Sequence, residues 1–134
     1  MRFVVLYQLT SQEFEKIQQH PVIGYDMIMH ISSFQKNGIL DMILYHHERY
    51  DGKGYPRGLR GNEIPLAARI MAVADSFDAM TSRRAYRPLT DIHYAITEIR
   101  NNKGTQFDPE IAELFIELAE CGGNEALFRG NRLE

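Results

Sequence analysis

The sequence predicts an all-α protein of single-domain size, interrupted by one ordered glycine-rich loop. Three observations carry this. Apolar residues recur at helical spacing, as in the run Ile39, Leu40, Ile43, Leu44 and the following His47. Residues 51–62 hold four glycines and a proline, which excludes a helix there. The chain has 134 residues and is 44% hydrophobic, close to the commonest domain size and apolar enough to bury one core.

Each element follows from local chemistry. Phe3 to Tyr7 is apolar and β-prone, a short strand or buried arm. Thr10 or Ser11 is an N-cap, with Glu13 placed to complement the helix dipole. Phe14 and Ile17 give a short stripe ending near His20-Pro21, and Pro21 suits the first turn of a second helix. There Ile23, Met27 and His30/Ile31 share a face. Residues 38–47 form a third helix ending in histidine. The segment 51–62 is a loop or small hairpin. Pro65 opens a long helix, Leu66 to about Ser82, with Ile70, Val73, Ala74 and Phe77 as its apolar positions; Pro88 breaks the chain after it. Helices over Ile92–Asn102 and Pro109–Ala119 follow, the latter capped by Asp108. Gly122-Gly123 then leads into a charged tail.

Composition excludes several classes. With 15 Lys+Arg against 18 Asp+Glu, the formal charge is −3, which argues against a globally basic nucleic-acid binder; no DNA or RNA partner is expected. The single cysteine, Cys121, excludes an internal disulfide framework or a Cys-rich zinc site. No apolar run approaches the roughly 20 residues that span a bilayer, and residues 3–7 are too short for a signal peptide. These features predict a soluble, cytoplasmic protein without a membrane segment.

The chemistry concentrates mid-chain. Lone histidines are usually surface or hydrogen-bonded core residues, and His30 and His93 are read that way. Adjacent His46 and His47 at a helix C-terminus differ. Neutral imidazole is the commonest transition-metal ligand, and the dipole there favours a cation. Glu48 and Asp51 lie close by, and Asp75 sits mid-helix among apolar residues. Burying that carboxylate requires an arginine or a metal as partner. Histidine plus aspartate without thiolate favours Fe, Mn, Mg or Zn in a hydrolytic role. From Arg49 to Arg60 the loop carries Arg49, Lys53, Arg57 and Arg60 against Asp51 alone. Arg83, Arg84 and Arg87 form a second basic cluster, either helix-dipole complements or a phosphate clamp.

These residues stand in a recognisable order. His46-His47-Glu48-Arg49-Tyr50-Asp51-Gly52-Lys53-Gly54-Tyr55-Pro56 resembles the HHExxDGxGYP signature of the HD-GYP family. Gln19-His20-Pro21, the helix segment Ala74 to Ser82, the basic residues Arg84, Tyr86 and Arg87, and Gly104 to Pro109 resemble its flanking motifs. The resemblance covers about residues 10 to 120. It implies a helical bundle of the HD superfamily, incomplete at the N-terminus, with the Gly-rich loop or hairpin between two core helices. It implies metal ligands at His20, His46, His47 and Asp75. Gly54, Tyr55, Pro56, Arg84 and Arg87 fall at substrate-binding positions, and Glu48 and Asp51 at supporting ones. The implied cofactors are divalent transition metals, Fe or Mn, and the implied substrate is cyclic di-GMP.

One departure qualifies this. The family's His-Asp pair, which precedes the His-Pro and supplies an aspartate bridging two metals, has no counterpart in the nineteen residues before His20. The expected organisation is therefore an apolar segment 1–9 outside the family, the C-terminal part of an HD-GYP domain over 10–120, and a tail at 121–134. The expected function is that of the C-terminal portion of a metal-dependent cyclic di-GMP phosphodiesterase in bacterial signalling. As an isolated chain it is expected to be weak or inactive, with incomplete metal loading. The alternative is a non-catalytic module that binds cyclic di-GMP or another protein. Expected partners beyond cyclic di-GMP are diguanylate cyclase (GGDEF) domains and a second copy, through the apolar face that a truncated bundle exposes.

Overall fold

The computed structural model describes residues 10–81 and 92–121. Among these are six α-helices and no strand, only the isolated bridges Asp51–Arg60 and Lys103–Phe107. The expected all-α class is thus observed. The apolar segment 1–9, the basic residues Arg83, Arg84 and Arg87, and the tail after Cys121 lie outside the described residues.

The chain divides into two compact units, Met1–Ala72 and Val73–Glu134. In the first, α1 spans Ser11–Gln18. Its start is a complete capping box: Thr10 Oγ1 accepts from Glu13 N–H at 3.2 Å, and the Glu13 carboxylate accepts from Thr10 N–H at 2.8 Å. The second helix, α2, spans His20–Ile28 with Pro21 in its first turn, where a missing N–H costs nothing. His20 therefore opens α2 rather than closing the helix before it. The third helix, α3, spans Ile39–Tyr45. It follows Gly38, whose φ of 77° a side-chain-bearing residue seldom adopts. It is shorter than the sequence pattern predicts: His46 is its C-cap and His47 lies in the turn beyond.

The α2 helix packs on α3, so the first residue of one, His20, stands beside the C-cap of the other, His46. Pro21, Leu44, Ile64 and Ala68 are buried. Phe14, Ile23 and Met27 are not; Ile23 is 52% and Met27 76% exposed. Helical spacing therefore identified a shared face on α2, but the described structure leaves that face largely open.

Residues 51–60 form a loop closed by the antiparallel bridge at its ends. A 3-10 turn, Gly61–Glu63, leads into α4, Leu66–Thr81. Arg69 ties that entry down, donating to the Ile64 carbonyl at 2.8 Å.

The second unit contains the end of α4, α5 (Ile92–Asn101) and α6 (Pro109–Cys121). Ala95, Ile96 and Ile99 of α5 and Ala112, Ile116 and Ala119 of α6 are buried, and these two helices pack together. Asp108 caps α6 as expected, accepting from Glu110 N–H at 2.9 Å and Ile111 N–H at 3.3 Å. Phe77 of α4 meets Phe115 of α6 edge-to-face, with ring centroids 5.0 Å apart.

Candidate metal centre

Antiparallel packing of two helix ends assembles the site. His20 at the start of α2 meets His46 and His47 at the end of α3, and one ligand atom from each lies within 4.8 Å of the other two. Ring centroids are 4.1 Å apart for His46–His47, 4.7 Å for His20–His47 and 5.8 Å for His20–His46. The negative end of α3 and the positive end of α2 oppose each other here, so the helix dipoles largely offset. The preference for a cation must come from the imidazoles themselves.

Their hydrogen bonding shows which atoms are free. His46 Nδ1 lies 2.9 Å from the Ile43 carbonyl and 3.1 Å from the Met42 carbonyl, and His20 Nδ1 lies 2.5 Å from the Ile17 carbonyl. A carbonyl oxygen only accepts, so each Nδ1 carries a proton, and Nε2 is the atom left to ligate. Backbone carbonyls holding the far nitrogen of an imidazole are the usual support of a metal-bound histidine. His47 is held neutral by its surroundings. Burial, reinforced by His46 and His20 beside it, lowers its pKa to about 3. Three converging imidazoles, each offering one nitrogen, fit a divalent transition metal.

The loop covers one flank of this cluster. Tyr55 lies nearly parallel to His47, with centroids 5.0 Å apart and planes inclined by 11°. Burial raises the Tyr55 phenol pKa. Its peptide bond to Pro56 is cis. Gly54 presses on the backbone that carries the histidines: a Cβ there would lie 2.5 Å from the His47 carbonyl oxygen and 2.7 Å from the Glu48 carbonyl carbon. Only glycine permits this approach.

Glu48 and Asp51 build the loop. The Glu48 carboxylate is buried and accepts from Arg57 N–H at 2.6 Å and Leu59 N–H at 2.9 Å. Asp51 accepts from Arg49 Nε at 3.1 Å, Arg49 Nη2 at 2.9 Å and Lys53 N–H at 3.0 Å. The Arg49 hydrogen bonds are the largest cause holding Asp51 below the ordinary carboxylate pKa. Arg60 donates to the Asp51 carbonyl, and Arg57 lies 5.7 Å over the Tyr45 ring. Three of the four loop cations thus have partners within or beside the loop.

Asp75, also expected at the metal, lies half-buried on α4 in the second unit. His30 and His93 are exposed, as the sequence suggested. The roles of Glu48 and Tyr55 toward the loop and His47 were not visible in the residue pattern. The only signal was their inclusion in one ordered motif.

Comparison with known proteins identifies the family. A family model described as "HD domain" matches residues 5–111. The chain is 44% identical over 110 residues to a cyclic di-GMP phosphodiesterase of Thermotoga maritima, covering 82% of this chain and 30% of that protein. It is 42% identical over 110 residues to the cyclic di-GMP phosphodiesterase response regulator RpfG of Xanthomonas campestris, covering 81% and 29%. A 3'3'-cGAMP-specific phosphodiesterase 2 of Vibrio cholerae is 35% identical over 111 residues, covering 82% and 21%. The chain therefore spans less than a third of the length of these relatives. A crystal structure of a cyclic GMP-AMP-specific phosphodiesterase of V. cholerae shares the fold, with a TM-score of 0.62 at 23% identity over 84% of this chain and 25% of that one. Its helices, its HHExxDGxGYP motif and these relatives together show that the chain belongs to the HD-domain family, in the HD-GYP group.

Proposed function

We propose that this chain provides the histidine metal cluster and covering loop of a phosphodiesterase acting on cyclic dinucleotides. The observation that carries it is the convergence of three imidazoles beside the Gly-Tyr-Pro loop. A divalent metal held there would polarise a phosphodiester and activate water. The protein groups supply the rest. Carbonyls fix the rings of His20 and His46, burial keeps His47 unprotonated at neutral pH, and Tyr55 shields one face of His47 from solvent. The family resemblance adds a metal-ligand role for Asp75 and a phosphate-binding role for Arg84 and Arg87. Nitrogen and oxygen donors without thiolate suit Fe or Mn.

Relatives named for cyclic di-GMP and for 3'3'-cGAMP support the cyclic-dinucleotide class, with cyclic di-GMP the first candidate. The reading places this activity in the cytoplasm, as part of bacterial second-messenger signalling. A diguanylate cyclase (GGDEF) domain is the protein partner that the family resemblance suggests. The exposed Phe14, Ile23 and Met27 support pairing with a second copy.

The test is incubation of the Mn²⁺-loaded or Fe²⁺-loaded chain with cyclic di-GMP and with 3'3'-cGAMP, followed by chromatography of the products. Slow, metal-dependent conversion to a linear dinucleotide, lost in His46→Ala, supports the proposal. Micromolar binding without conversion would instead assign a non-catalytic binding module. Neither binding nor conversion refutes both.

A further inference from the structure

We propose that Glu48 is a positioning residue for His47, acting through the loop that lays Tyr55 on the imidazole. The metal-ligand role of His47 is taken from the proposed function; the positioning itself stands on the geometry.

Glu48 is 3% exposed. A carboxylate buried so deeply is costly unless both oxygens are satisfied. Its two oxygens are each taken by a backbone amide, those of Arg57 and Leu59. Both amides lie just past Tyr55-Pro56, nine and eleven residues along the chain from Glu48. On the near side, Tyr55 N–H donates to the His47 carbonyl at 3.3 Å, and Gly54 presses on the 47–49 backbone. The segment 54–59 is therefore fastened on both sides of the tyrosine to the two residues that carry the histidine. On the backbone so held, the Tyr55 ring lies parallel to His47.

His47 needs such a support. His20 and His46 are oriented by carbonyls at Nδ1. Among the described residues, no hydrogen bond orients the ring of His47. Its orientation comes from the rings around it, and Tyr55 is the one in parallel contact. The Glu48 clamp thus replaces the carbonyl that orients the other two. Loss of a partner that orients a metal ligand typically costs at least about tenfold in metal affinity.

The test uses the full chain with Glu48→Ala, Glu48→Gln, Tyr55→Ala, Tyr55→Phe and the double variant Glu48→Ala/Tyr55→Ala. Two readouts are needed. The first is the NMR shift of the His47 ring protons without metal, which the stacked tyrosine displaces. The second is the affinity for Mn²⁺, from the electron paramagnetic resonance of the free ion. Glu48→Ala and Tyr55→Ala are expected to move the His47 resonances alike, leaving those of His30 and His93 in place. Each is expected to weaken Mn²⁺ binding about tenfold, and the double variant no further, because the two act in series. Tyr55→Phe keeps the stack and both readouts. Glu48→Gln, which keeps one strong acceptor, falls between wild type and Glu48→Ala and serves if the alanine variant does not fold.

An unmoved His47 ring in Glu48→Ala, or additive losses in the double variant, overturns the proposal. If the wild-type chain takes up no Mn²⁺, the metal reading fails, and the ring shift still decides the role of Glu48.

Discussion

His47 illustrates how a single residue is prepared by its surroundings. Its pKa falls from 6.5 to about 3 because the ring is half-buried and stands beside two other histidines. Since the folded state resists the proton that the unfolded state accepts, stability is unaffected above about pH 6.5. It then falls as pH is lowered from there toward 3. Urea midpoints measured between pH 7 and pH 5 should drop more steeply for the wild-type chain than for His47→Gln. Equal slopes would show that His47 titrates normally. Gly54 makes the complementary point about space. In Gly54→Ala the new Cβ meets the backbone of His47 and Glu48, so destabilisation of about 1–3 kcal/mol is expected, as for other overpacked sites. A thermal melt with the stability of wild type would contradict the close approach. The identities of His46, His47 and Gly54 were legible in the sequence. Their reasons were less so. Spacing could bring two histidines to a helix end, but the arrival of His20 depends on how α2 packs on α3.

At the scale of elements, the sequence pattern located every described α-helix and missed some ends. Thr10, Pro21 and Asp108 act locally, so the starts of α1, α2 and α6 were readable from caps and prolines. The end of α3 was not, because apolar periodicity runs on through His47 while the chain turns at His46 to meet the loop. Nor was the Glu48 clamp, since its partners are distant in sequence and are backbone amides common to any residue. Periodicity also does not tell a covered face from an open one, as Ile23 and Met27 show. The same distinction gives a prediction for the second unit. Ile99 of α5 is fully buried, whereas Leu118 of α6 is exposed. Ile99→Ala should cost about 2–5 kcal/mol, and Leu118→Ala should stay within about 0.5 kcal/mol of wild type. Chemical denaturation of the two variants checks this. Comparable losses would mean that α6 packs differently.

For the whole molecule, the central feature is that the loop and the helix ends of the first unit form one local site. All three histidines, the Gly-Tyr-Pro loop and its Glu48 and Asp51 anchors lie within Met1–Ala72. A ligand of the folded state stabilises it by mass action, by about 2.7 kcal/mol at a hundred times its Kd. Saturating Mn²⁺ should therefore raise the melting temperature of wild type but not of His46→Ala. The chain matches under a third of the length of its curated relatives, so the local site is the part of their chemistry that can be tested directly in it.

The most direct test of that site is the metal content per chain, by elemental analysis after purification without chelators, for wild type and His47→Ala. At least one divalent transition metal per wild-type chain, lost in the variant, is the predicted result. No bound metal in the wild type, or the same content in both proteins, would contradict the assignment of His20, His46 and His47 as a metal centre.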